Sequence, residues 1–189
     1  MKSKIVTFAG SARRDSLNKK LARNAAFTAE SLGAEGIFVD LADYPLSIYD
    51  GDLEASDGIP ENARSLAEMI QTADGLFISS PEYNGAYSAL LKNTIDWLSR
   101  IDRRMLSKPV AIASASPGGR GGVGGLTQLR AMLVHMRIPV MEHQLSVPEA
   151  DRALGGAGAA AEAAAESLRE VVAELVEASR LVGASSDRA

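Results

Sequence analysis

Two arginines, two serines, a glycine and an asparagine crowd the segment Gly10-Ser11-Ala12-Arg13-Arg14-Asp15-Ser16-Leu17-Asn18, between an apolar run and the start of a helical pattern. A helix opens with N–H groups that lack acceptors and with the positive end of its dipole, so its first turn favours an anion. Arg13 can add a charge-assisted bond there. Ser11, Ser16 and Asn18 can add neutral donors around Leu17, the first helical position. The set suits one compact phosphate. It lacks the Gly-Lys-Ser/Thr ending of a P-loop and the three-glycine dinucleotide fingerprint. The same residues also admit a plainer reading, in which Ser16 caps the helix and the arginines are solvated.

Two further stretches have unusual chemistry. Ser114 to Gly125 holds six glycines, with Ser116, Gly118 and Gly119 leading the turn and Arg120 in their midst. Missing side chains let a backbone approach a flat ligand and present N–H groups to it, and Arg120 could meet a phosphate. A flexible surface loop is the alternative. The third stretch, Pro81-Glu82-Tyr83-Asn84-Gly85, crowds a carboxylate, a phenol and an amide into a turn that needs none of them for its backbone angles. A flat heterocycle with carbonyl and N–H edges requires such an edge-reading turn. Pro81 fixes the exit from the preceding strand, Tyr83 offers a ring as a wall, and Glu82 and Asn84 secure the loop or read the edge. The turn looks like a cradle for a flavin.

The elements that must position these stretches alternate in type. Apolar or β-branched runs predict strands at Ile5 to Ala9, Glu35 to Leu41, Leu76 to Ser79, Val110 to Ala113 and Pro139 to Val147. Helical periodicity predicts helices at Leu17 to Leu32, Glu61 to Thr72, Ser88 to Ile101, Leu126 to Met136 and Ala159 to Val182. Strands alternating with helices imply an α/β protein with a parallel sheet covered on both faces. Five strands at this spacing fit a flavodoxin-like three-layer sandwich of order 2-1-3-4-5, whose ligand sits beyond the strand C-termini where the order reverses. The three unusual stretches follow strands one, three and four. Residues 1–182 read as a single domain and residues 183–189 as a disordered tail.

Composition removes several classes. The chain has 189 residues, 46% apolar and 23% charged, which suits one globular domain. With no cysteine, thiolate metal sites, disulfides and a thiol nucleophile are out. A net charge of −4 argues against nucleic acid as a partner. No apolar run reaches the roughly 20 residues of a membrane span, and no signal-peptide pattern opens the chain, so a cytoplasmic protein is expected.

With these residues in view, the sequence resembles the NADPH-dependent FMN reductase family. The resemblance rests on Gly10-Ser11-x-Arg13-x-x-Ser16-x-Asn18, on Pro81-Glu82-Tyr83-Asn84-Gly85 and on Leu91-Lys92-Asn93-x-Ile95-Asp96-Trp97, with weaker support from Ser116-x-Gly118-Gly119. It implies a flavodoxin-like fold, non-covalent FMN, and NADPH or NADH as co-substrate. Ser11, Arg13, Ser16 and Asn18 would hold the FMN phosphate, and Pro81 to Asn84 with Ser116 would contact the ring. The activity implied is hydride transfer from NADPH through FMN to a small electron acceptor: a quinone, flavin, azo compound or metal oxyanion. A non-enzymatic flavodoxin-like electron carrier is the alternative. The chain departs from the family's small residue and Pro-Gly after Asn-Gly, showing Ala86-Tyr87-Ser88-Ala89, so Tyr87 is expected to narrow access.

Other constellations carry less. Asp50 to Glu61 has some calcium-loop spacing, but Ala55 stands where that loop needs glycine and Pro60 interrupts it, so a solvated acidic turn is expected. His135 and His143 have no companion cluster, and no metal site is expected. No Gly-x-Ser-x-Gly elbow exists. In the helix from Ser88, the stripe Leu91, Ile95, Leu98 can pack on the sheet. The adjacent stripe Leu90, Thr94, Trp97, Ile101 is then expected to lie exposed and to build a homodimer or homotetramer.

Overall fold

The structure is a computed structural model that describes residues 2–186. In chain order it runs β1 (Lys4–Ala9), α1 (Leu17–Ser31), β2 (Glu35–Val39), a 3-10 turn (Leu41–Asp43), α2 (Gly51–Asp57), α3 (Glu61–Gln71) and β3 (Gly75–Ser79). A short hairpin follows, β4 (Glu82–Tyr83) and β5 (Ala86–Tyr87), and then α4 (Ala89–Ile101), β6 (Val110–Ala115), α5 (Val123–His135), β7 (Leu145–Val147), α6 (Ala150–Ala153) and α7 (Ala159–Ser186).

Five strands form one parallel sheet in the order β2-β1-β3-β6-β7. Counted within the sheet alone, this is the expected 2-1-3-4-5. Both faces are covered, which is why the strands are almost continuously apolar. Val6, Phe8, Leu76, Ile78 and Ile112 pack with Leu66 and Ile70 of α3, Leu91 and Ile95 of α4, and Leu129 of α5. Ile5, Phe77, Ala111 and Ala113 face Leu21 and Ala25 of α1 and Leu168, Val172 and Leu175 of α7.

Several elements depart from the sequence reading. The acidic turn at Asp50 is instead the short helix α2, capped by Asp50, whose carboxylate accepts from Asp52 N at 2.8 Å. Helix α5 begins three residues early and takes Gly124 and Gly125 into its first turn, where a Cβ at Gly125 would sit 3.3 Å from the Ala86 carbonyl, so glycine lets the helix start pack on the hairpin. The fifth strand is shorter than Pro139 to Val147: Val140 makes a single bridge to Val110, and pairing resumes at Leu145. Between them the carbonyls of Met141 and Glu142 accept from Arg130 Nη2 at 2.9 and 3.0 Å. Helix α7 continues through Ser186, four residues into the expected tail. Residues 187–189 lie outside the described residues.

The expected exposure of Trp97 is overturned. Its relative exposure is 0%. Residues 44–50 of the same chain fold over it, with Trp97 Nε1–H donating to Ser47 O at 2.9 Å and the Tyr49 ring edge-on at 5.1 Å. Asn93 Nδ2 donates to the same Ser47 carbonyl, and Asn93 Oδ1 accepts from Tyr49 N at 2.8 Å. The Asn93 and Trp97 side chains of α4 thus staple a covering loop.

Candidate active site

The loops after β1, β3 and β6 meet at the C-terminal end of the sheet, where strand order reverses between β1 and β3. The expected site residues are brought to one end of the molecule. They divide into two sets, one free to meet a ligand and one spent on holding the loops together.

The first loop keeps most of its groups free. The N–H groups of Leu17 and Asn18 open α1 without a protein acceptor among the described residues. Ser16 Oγ accepts from Lys19 N at 3.3 Å, so the capping role is real, and its own proton stays available. Ser11, 5% exposed, receives only a long 3.4 Å contact from Arg13 N. Arg13, Arg14 and Arg120 are exposed and enter no ion pair among the described residues. The side chain of Asn18 points the other way: Nδ2 donates to Ala115 O at 2.9 Å, while Oδ1 accepts from Ala115 N and Ser79 Oγ at 2.9 and 2.8 Å. It joins the start of α1 to the ends of β3 and β6.

The second loop is a hairpin and not a simple turn. Glu82 pairs with Tyr87 and Tyr83 with Ala86, leaving Asn84 (φ 53) and Gly85 (φ 78) as the two central residues. Both sit in the left-handed region that a two-residue hairpin of this hand demands, which accounts for the Asn-Gly pair without any ligand. Pro81 is buried and Tyr83 is 52% exposed. Glu82 Oε2 accepts from Gly125 N at 2.8 Å, and Gln128 Nε2 donates to Gly85 O at 2.9 Å, so the hairpin is clamped to α5. Tyr87, at the end of β5, is the bulky residue expected to narrow access. It is partly buried against the core, near Lys92 and Asp96 of α4, and burial pushes its phenol up.

Two residues missed in the sequence close the base of the hairpin. Ser80 Oγ accepts from Ser88 N at 3.1 Å, and Ser88 Oγ donates to Gly10 O at 2.6 Å while capping α4. A serine just before Ala89-Leu90-Leu91 is an N-cap signal, so Ser88 was findable.

The six glycines of the third loop serve different ends. Gly121 and Gly122 have φ of 57 and 82 and lie against Ser146 and Ser114, where no side chain fits. Gly124 and Gly125 pack on Glu82 and the hairpin. Gly118 and Gly119 alone have open space: a Cβ at Gly119 would meet nothing within 4 Å, and one at Gly118 only Ser116 Oγ at 3.6 Å. Ser116 Oγ accepts from Gly118 N at 3.2 Å and shapes that turn. The arrangement offers an anion seat at α1 and, after β6, an open turn at Gly118 and Gly119.

The family model of NADPH-dependent FMN reductase matches residues 3–152. The chain is 40% identical over 141 residues to a quinone reductase of Escherichia coli, covering 74% of each. It is 38% identical over 143 residues to a 2-hydroxy-1,4-benzoquinone reductase of a Burkholderia species, covering 75% of each. Among solved structures it is similar to FerB, a flavoenzyme NAD(P)H:(acceptor) oxidoreductase of Paracoccus denitrificans, at a TM-score of 0.77 and 28% identity over 94% of this chain and 97% of that one.

Proposed function

The chain belongs to the NADPH-dependent FMN reductase family, and on that premise we propose that it carries electrons from NADPH through bound FMN to a quinone or a similar small acceptor. The observation that carries the site assignment is the open start of α1. Leu17 and Asn18 N–H are free there beside the N-cap Ser16, and Ser11 and Arg13, which enters no ion pair among the described residues, stand in the loop that leads into it at the switch point of the sheet. FMN has one terminal phosphate and a flat ring, and these residues fit it in that order. The α1 terminus and Arg13 hold the phosphate, while Pro81 to Asn84 and the open turn Ser116 to Gly119 flank the ring.

FMN supplies the hydride-accepting centre when bound, so the chain needs no nucleophile or acid of its own. Its residues bind, orient and exclude water. The exposed Arg120 borders the ring-side loop, where it can meet the 2′-phosphate of NADPH and favour that coenzyme over NADH. Reduced nicotinamide as the electron source puts this work in the cytoplasm. Association into a homodimer or homotetramer belongs to the same reading, and its support is now Ile48, 76% exposed between the pinned residues Ser47 and Tyr49.

The test is the visible spectrum of the purified protein with added FMN, followed during anaerobic addition of NADPH and then of a quinone. Bleaching by NADPH and recovery with the quinone is the expected result. FMN that binds but is not reduced by NADPH would replace this reading with a non-enzymatic electron carrier.

A further inference from the structure

Two long helices, α1 and α5, direct their N-termini toward the loop end of the sheet, yet the chain treats them differently. The start of α1 is open. The start of α5 is filled from within: Glu82 Oε2 accepts from Gly125 N at 2.8 Å, in the first turn after the N-cap Gly122. Both Gly124 and Gly125 lack the Cβ that would crowd this carboxylate, since one at Gly124 would lie 3.0 Å from Oε2 and one at Gly125 would lie 3.3 Å from Glu82 Cβ. The N-cap residue itself is a glycine with no side chain to cap the helix. The missing cap is supplied from the hairpin.

We infer that the Glu82 side chain is a positioning group, an internal anion that seals α5 and fixes the hairpin to it, so that its carboxylate serves the frame and only its backbone faces FMN. The inference rests on the proposed flavin site and says how its ring side is built. A carboxylate on a helix N-terminus satisfies an otherwise orphaned donor and offsets the positive end of the dipole. Phosphate is therefore drawn to α1, whose Leu17 and Asn18 N–H groups stay free, and not to α5, whose Val123 and Gly125 N–H groups are taken. Gln128, one turn further along α5, makes the second clamp through Gly85 O at 2.9 Å. The two contacts grip opposite ends of the hairpin, so hairpin, glycine turn and α5 form one wall. Through that wall Glu82 sets the spacing between Tyr83 on one side and Gly118 and Gly119 on the other.

The roles of phosphate contact and ring-side brace separate in binding. Loss of a ring-side brace weakens FMN and riboflavin alike, whereas loss of a phosphate contact weakens FMN alone. The experiment compares Glu82→Ala and Glu82→Gln with wild type by fluorescence titration of FMN and riboflavin, and by hydrogen exchange at the Gly125 amide in flavin-free protein. In Glu82→Ala both affinities should fall by a similar factor, about tenfold, and Gly125 exchange should quicken. Glu82→Gln keeps an acceptor oxygen and should restore most of the protection and of the riboflavin affinity. Unchanged Gly125 exchange in Glu82→Ala would overturn the inference, as would a loss confined to FMN or a Glu82→Gln variant no better protected than alanine. The exchange measurement needs no flavin, so it decides the brace even if the flavin assignment fails.

Discussion

Asn18, in the first turn of α1, holds both the C=O and the N–H of Ala115 at the end of β6, each at 2.9 Å. The same Oδ1 also accepts from Ser79 Oγ on β3, at 2.8 Å. One amide thereby satisfies backbone groups on a strand end that its sheet neighbours cannot reach, inside a region that is 3% exposed at Asn18. Together with Ser88 on Gly10 and Glu82 on Gly125, it ties three loops into one frame.

Asn18→Ala should accordingly cost stability first. It strands the buried Ala115 N–H and Ser79 hydroxyl, at about 1–3 kcal/mol for each unsatisfied group. Urea unfolding should show a loss of a few kcal/mol in flavin-free protein. An unchanged midpoint with weakened FMN alone would show that Asn18 serves the ligand and not the frame.

The loop staple gives a second prediction. Trp97→Phe loses the Nε1–H bond to Ser47 and should cost about 1 kcal/mol. Trp97→Ala also empties a buried site and should cost about 3–5 kcal/mol. Wild-type Trp97, the chain's only tryptophan, should emit as a buried indole. A red-shifted emission, or a Trp97→Ala variant as stable as wild type, would contradict the covering loop.

The layers and sheet order were legible because each buried strand is a short apolar run and each helix has its own period. What escaped notice were contacts between segments distant in sequence. Nothing local shows that residues 44–50 will fold over α4, so the second apolar stripe of that helix looked exposed. The Asn84-Gly85 pair is a strong hairpin signal, but its flanking strands have only two residues each, too few for alternation to register. The site was legible as a set of loops, whereas roles within it were not. A polar residue next to a ligand turn has the same appearance in sequence whether its side chain faces the ligand, as Ser11 can, or braces the frame, as Asn18 and Glu82 do.

Ile48 carries the association prediction. The neighbours Ser47 and Tyr49 are pinned to Asn93, so the exposed side chain is held at little entropic cost for a partner copy. Sedimentation of wild type should show a dimer or tetramer at micromolar concentration, and Ile48→Lys should shift it toward monomer without loss of helical signal. A monomeric wild type would end this reading.

Just before β7 a histidine gives a pH signature. His143 Nδ1 lies 2.9 Å from Glu174 Oε2, and that hydrogen bond with the carboxylate's charge raises the imidazole above its ordinary value, with smaller help from Glu142 and Glu170. A raised folded value means the pair's contribution is full below the unfolded histidine range and is lost as pH rises through the folded value. The contribution is small, since the His143 side chain is 75% exposed. Its NMR titration midpoint should fall in Glu174→Gln, and an unmoved midpoint would refute the pairing.

The phosphate seat at α1 is the point on which the flavin assignment turns, and paired titrations of FMN and riboflavin test it most directly. They differ only in the phosphate. Wild type should bind FMN more tightly, and Arg13→Ala should weaken FMN by about 1.5–3 kcal/mol, as for a charge-assisted bond, while leaving riboflavin unchanged. Equal affinity of wild type for the two flavins would contradict the account.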